Sequence, residues 1–238
     1  MINREGGAKM VYYTGDTHGK FDKIVQAFYS GMLTVNDTLV ILGDAGFNYY
    51  GNMYGDIPKK QQVNRLGLKV LCIQGNHEKR PSNISTYQTK QFCGGSVWYE
   101  PEYPNILFAK DGDVYNLDGK RSIVIGGAYS VDKFYRIKRG YKWFRDEQPS
   151  DKIKARVEKK LAALDWNVDQ VLSHTCPQKY TPVETFLQGI DQSKVDKSTE
   201  IWLDTIEDRL TYQRWLCGHW HIDKTIDSLR FVMHDIIL

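Results

Sequence analysis

The chain has 238 residues, 41% hydrophobic and 26% charged, the values of an ordinary globular protein and far from those of disordered, collagenous or coiled-coil chains. A net charge of +3 suits an anionic substrate but is too small for a dedicated nucleic-acid binder, so no stable nucleic-acid complex is expected. No apolar run approaches the roughly 18 residues that span a bilayer, no membrane association is expected, and the four cysteines form no CxxC pair, which reads as reduced thiols in a cytoplasmic protein.

Residues 1–9 are polar and lack the apolar stretch of a secretory signal; either they are a disordered lead-in or Met10 is the native start, and 10–238 reads as one domain. The run Val11 to Gly15 ends in Asp16-Thr17-His18, and Phe21 to Ser30 follows as an amphipathic helix. Thr38 to Leu42 leads into Gly43-Asp44, Asp56 to Leu66 is helical, and Lys69 to Gln74 leads into Gly75-Asn76-His77. From Ser96 to Gly126 four short runs, Ser96 to Tyr99, Ile106 to Lys110, Asp113 to Asn116 and Ser122 to Ile125, are separated by turns such as Asp111-Gly112 and Asp118-Gly119; they read as a second sheet packed on the first. Ser150 to Leu164 has an N-cap serine, an acidic first turn and apolar residues at Ile153, Val157, Leu161 and Leu164. Gln170 to Ser173 ends at His174, Ser198 to Leu210 is helical, Arg214 to Cys217 ends in Gly218-His219-Trp220-His221, and the last eleven residues read as a further hairpin arm.

Most of these runs are continuously apolar rather than alternating, the mark of strands covered on both faces, and their alternation with helices predicts an α/β domain with ligands at the carboxyl ends of the strands. Those ends carry the chemistry. Two metal ions about 3.5 to 4 Å apart can bind both non-bridging oxygens of a phosphate and activate a shared water, provided that a carboxylate bridges them and neutral imidazoles and an amide oxygen complete the set. The chain offers Asp44 as bridge, Asp16, His18 and His221 for one ion, and Asn76, His174 and His219 for the other. Singly, an Asp after an apolar run is a turn residue and a lone His a hydrogen-bonded core residue; jointly, seven such coincidences at successive strand ends point to a metal site.

The blocks GDTHG, LGD, QGNHE, LSH and CGHWH, in that order across almost the whole chain, resemble the calcineurin-like metallophosphoesterase superfamily, and GGAYSVDKFYR at 126–136 is similar to its small stand-alone bacterial members. The resemblance implies a four-layer α/β/β/α sandwich of two mixed β-sheets and a dinuclear centre of divalent or trivalent ions, from manganese, iron, zinc or nickel, with manganese favoured. It also implies a metal-bridging hydroxide as nucleophile. His77 would then be no metal ligand but a catalytic residue that contacts the phosphate and protonates the leaving group. One departure stands out: relatives that continue as GDxxD, often with Arg and Gly after it, have a second carboxylate and an arginine where this chain has Ala45-Gly46-Phe47-Asn48.

Two loops are expected to shape the pocket. Residues 46–62 bring Tyr49 and Tyr50 after the bridging aspartate; residues 133–145 interleave Arg136, Arg139 and other cations with aromatic rings, a pattern for an anionic ligand, though also that of a solvated loop. Glu78 either orients His77 or caps the next segment, and Cys176 either approaches a metal or packs in a Cys-Pro turn. The expected function is hydrolysis of phosphate monoesters carried by a small molecule, nucleotide or phosphoprotein. A phosphodiesterase of nucleotides or nucleic acid is the alternative, and a catalytically silent metal-containing scaffold the least favoured. Oligomeric state is not legible.

Overall fold

The computed structural model describes residues 9–51 and 53–238. The lead-in expected over 1–9 therefore lies, apart from Lys9, outside the described residues.

Among the described residues, twelve strands form two mixed sheets of six. In the first, β1 (Val11–Thr14), β2 (Thr38–Ile41), β3 (Lys69–Cys72) and β6 (Ile106–Ala109) run parallel, and β5 (Gly95–Tyr99) and β4 (Gln88–Phe92) complete the edge antiparallel. In the second, β12 (Leu229–Phe231), β10 (Arg214–Cys217), β9 (Gln170–Ser173) and β8 (Lys120–Ile125) are parallel, with β11 (Lys224–Ile226) and β7 (Val114–Leu117) antiparallel at the two edges. The turn-rich middle of the chain is thus divided between the sheets instead of forming one of its own: its first two runs join β3, its last two join β9.

The pleat explains the continuous apolar runs. Along β2 and β3, Val40, Leu42, Leu71 and Ile73 point into a core shared with Val124, Leu172 and Leu216 of the second sheet. Their neighbours Leu39, Ile41, Val70 and Cys72 face the opposite way, onto helices α1 (Asp22–Tyr29) and α2 (Met53–Asn64) through Ile24, Ala27 and Val63. On the far side Ile123, Ile125, Val171 and Trp215 pack against α4 (Asp151–Ala162) and α5 (Ser198–Glu207) through Val157, Leu161, Leu203 and Ile206. Three cores separate four layers, α/β/β/α. Ser150 caps α4 as its sequence predicts, its hydroxyl accepting the N–H of Ile153 at 3.4 Å.

Two elements differ from expectation. A short helix, α3 (Lys133–Arg139), occupies the basic segment; none of its residues is buried, so no apolar periodicity announces it, and Gly140 ends it with a left-handed turn. The edge strand β4 falls outside the expected runs, whereas the last eleven residues do supply a hairpin arm, β12, paired with β11 before the chain returns to join Ile237 with Tyr13 of β1.

Candidate metal centre

The loops leaving β1, β2 and β3 of one sheet and β9 and β10 of the other meet at one end of the sandwich. Each of the two buried aspartates is held by one oxygen and offers the other. Asp44 Oδ1 accepts the backbone N–H of His77 at 2.8 Å, which leaves Oδ2 at 4.0 Å from His18 Nδ1 and 3.8 Å from His174 Nε2. Asp16 Oδ1 accepts the N–H of His219 at 2.9 Å, which leaves Oδ2 at 3.2 Å from His221 Nε2 and 3.7 Å from His18 Nε2. His18, Asp44, His219 and His221 all adopt left-handed backbone, with φ of 47, 46, 65 and 51°. Such strain costs on the order of 1–3 kcal/mol per residue and persists where surrounding contacts over-determine it, which is common at functional sites.

The geometry tolerates no side chain at the joints. A Cβ on Gly43 would lie 1.9 Å from His174 Nδ1, and one on Gly75 1.9 Å from Asp44 Oδ1. Beneath them the fully buried Glu78 accepts N–H groups of Gly75 and Gly46, each at 3.3 Å, and so ties the loop after β2 to the loop after β3. Its hydrogen bonds thus run to loop backbone and not to the His77 ring or a helix end. Burial, reinforced by the charge of Asp44, pushes the Glu78 carboxyl up to about 8.

The donor set tests whether metal fits. His174 Nδ1 lies 2.8 Å from the carbonyl of Leu42, which can only accept, so the proton sits on Nδ1 and Nε2 presents a lone pair. That lone pair faces Asn76 Oδ1 at 2.7 Å, an oxygen whose orientation is fixed because Asn76 Nδ2 donates to Ser130 Oγ at 2.8 Å. Two acceptors pointed at one another require either a second imidazole proton or a shared cation. His18 Nε2 and His221 Nε2 also approach to 3.0 Å, with donor and acceptor set by the tautomers. Two groups of three ligand atoms, from Asp16, His18 and His221 and from Asp16, Asp44 and His174, each lie within 4.8 Å of one another. Carboxylate, imidazole and amide donors so placed fit transition-metal ions.

Charge follows the same layout. Burial alone would raise the Asp16 carboxyl, but the neighbouring imidazoles of His174, His221 and His18 outweigh it and hold the group well below the usual carboxylate range. The hydrogen bond to Asp16 raises His221, whereas burial, with His174 alongside, holds His219 far below the imidazole range. His219 is thus a neutral nitrogen donor at ordinary pH.

The family model described as calcineurin-like phosphoesterase matches residues 10–223. The chain belongs to the calcineurin-like phosphoesterase family. Among solved structures, TT1561 of Thermus thermophilus is similar at a TM-score of 0.51, with 12% identity over 94% of this chain and 87% of its own, a likeness of fold alone. A second solved structure aligns at a TM-score of 0.49 with 14% identity, covering 93% of this chain and 88% of that one. No curated protein matches.

In this calcineurin-like phosphoesterase, His77 stands at the edge of the cluster. Its Nε2 lies 3.3 Å from Arg136 Nη2 and 3.4 Å from Asn76 Nδ2, two donors, and burial with Arg136 nearby lowers its pKa. Arg136 of α3 is held by Asp132 Oδ2 at 2.8 Å and reaches the Tyr49 hydroxyl at 3.4 Å. Tyr50 lies against Tyr49, one step back. Arg139 is exposed, stacks over Tyr135, and is not brought to the cluster. Cys176 is buried in the core under α5, and burial pushes its thiol up, away from the thiolate that a metal would require.

A cavity of about 460 Å³ opens over the cluster. One side is His18, Asp44, Asn76, His77, Arg136, His219 and His221. The other is not the expected segment 46–62 but residues 181–197, a stretch of short 3-10 turns without a periodic signature, together with Trp220. Two residues outside the expected set support the site: Ser130, which orients Asn76, and Glu147, which accepts the Ser130 hydroxyl at 2.6 Å and the Trp143 indole N–H at 2.7 Å. The 126–136 motif, with Ser130 inside it, was the available signal.

Proposed function

We propose that the chain is a metal-dependent phosphomonoesterase. The observation that carries this reading is the convergence of Asp44 Oδ2, His174 Nε2 and Asn76 Oδ1 beside the His77–Arg136 pair. Asp16, His18, His221 and Asp44 would hold one ion, and Asp44, Asn76, His174 and His219 the other. Manganese suits this mixture of oxygen and imidazole donors without thiolate, and four unpaired thiols suit the cytoplasm. When bound, the ions supply Lewis acidity and an activated water for attack at phosphorus.

The chain's own residues orient and protonate. Arg136, braced by Asp132 and Tyr49, adds a fork of donors for a phosphoryl oxygen. Without an anion, His77 Nε2 accepts from Arg136. An arriving phosphate dianion takes over that guanidinium and its charge lets His77 hold a proton, which passes to the leaving oxygen as the P–O bond breaks. A cation beyond the metal ligands favours the doubly charged monoester over a diester.

The test is turnover of 4-nitrophenyl phosphate and bis(4-nitrophenyl) phosphate with manganese, iron, zinc or nickel supplied. The monoester should be the better substrate, and Arg136→Gln should cost it about tenfold or more in kcat/KM while affecting the diester less. Asp44→Asn and His77→Ala should each lower monoester turnover at least about 100-fold with circular dichroism unchanged. Unaltered rates in both would sink the mechanism.

A further inference from the structure

The cavity has two chemically distinct sides. Opposite the ligand cluster, Phe186, Leu187, Ile190 and Val195 face the same space as Trp220. Trp220 stands between two candidate ligand histidines. Its indole N–H donates to Thr175 Oγ1 at 3.2 Å, its ring lies 5.3 Å from that of His219, and the Phe186 ring lies 6.2 Å beyond at a 33° tilt. The aromatic pair is therefore anchored to the metal loop, one residue from the chemistry.

Two carboxylates on this side are engaged by the protein. Asp196 accepts the Ser198 N–H at 2.9 Å and the Gln148 amide at 2.9 Å, and Glu200 accepts the Thr175 hydroxyl at 2.8 Å. Beside Thr181, Gln192 and Lys197, the lining offers a ligand rings and branched aliphatic side chains, whose burial by a bound apolar body is favourable. Such a surface favours a leaving group with an apolar body over a small polar one.

We infer that the pocket selects phosphomonoesters whose leaving group carries a flat aromatic body, seated against Phe186 and Trp220 while the phosphate lies at Arg136 and the cluster. This rests on the phosphomonoesterase reading and names its substrate class. The recognised element is an aromatic ring a short arm from the phosphate, either a hydrocarbon ring or a nucleobase.

Two readouts on the metal-loaded full chain test it. Calorimetry compares 2-phenylethylphosphonate with ethylphosphonate, neither of which can be hydrolysed, and turnover compares 2-phenylethyl phosphate with ethyl phosphate, whose alkoxide leaving groups are similar in basicity. The aromatic member should bind, and be turned over in kcat/KM, about tenfold or more better. Phe186→Ser, at a partly exposed position, should bring both ratios towards one. AMP against ribose 5-phosphate identifies the source: a preference there assigns a nucleobase, and a preference confined to the phenylethyl pair assigns a hydrocarbon ring, each upholding the inference. Equal phosphonate affinities in the unaltered chain, or ratios unmoved by Phe186→Ser, overturn it. If neither ester is turned over while the phosphonate preference stands, the phosphomonoesterase reading fails and the aromatic seat survives.

Discussion

Ser130→Ala isolates the role of the Asn76 amide. The substitution takes from Asn76 Nδ2 the acceptor it has at 2.8 Å and from Glu147 the donor it has at 2.6 Å, without touching a candidate ligand atom. A buried amide N–H left unpaired costs about 1–3 kcal/mol, which the chain can avoid only by rotating the amide and withdrawing Oδ1 from its position 2.7 Å from His174 Nε2. Loss of such a supporting hydrogen bond weakens metal affinity by about 10–100-fold, and the two magnitudes agree. The effect should fall on the ion that shares Asn76 and His174, with the ion at Asp16, His18 and His221 changed by no more than about threefold. Competition with a fluorescent chelator, resolving the two equivalents, measures both constants; Ser130→Thr, which keeps a hydroxyl, should stay near the unaltered protein. Two unchanged affinities in Ser130→Ala, or an equal loss in both, would refute the reasoning.

Gly43→Ala places a methyl 1.9 Å from His174 Nδ1 at a backbone φ of +100°, so we expect a loss of about 3 kcal/mol or more in urea unfolding together with loss of metal uptake; a stable variant that takes up metal normally would contradict this. Glu78 supplies a pH dependence. Its carboxyl sits at about 8 in the fold against 4.5 ordinarily, so the metal-stripped chain keeps its full stability below about 4.5 and loses it as pH rises through about 8, by roughly 5 kcal/mol when titration is complete. Glu78→Gln should flatten that slope in chemical unfolding, and an identical slope in the variant would exclude Glu78 as its source.

What was legible in the sequence follows from what each element had to satisfy. Strands β1, β2, β3, β9 and β10 lie between layers and must be apolar on both faces, so they stand out as runs, and the residues just past them stand out as polar interruptions. Strand β4, Gln88 to Phe92, has only a partner strand to satisfy; its side chains are largely exposed and its composition is that of a loop. Helix α3 buries no residue, and nothing in Lys133 to Arg139 reveals that Arg136 meets His77 from 59 positions away while Arg139 turns outward. The role of Glu78 was hidden because its partners are backbone N–H groups, one of them 32 residues distant. The pocket side formed by 181–197 has neither period nor polar motif, and only the fold places it over the cluster.

The meeting of His18 and His221 joins positions 203 residues apart. An ion held between them would close a loop of nearly the whole chain, and a cross-link of that span restricts the unfolded ensemble by about 5 kcal/mol on the loop-entropy account. All four cysteines are free thiols, so a tie of this length would come from metal and not from sulfur. Chelation would then act on this protein as reduction acts on a long-range disulfide, untethering the first strand from the last hairpin at the moment that it removes the chemistry.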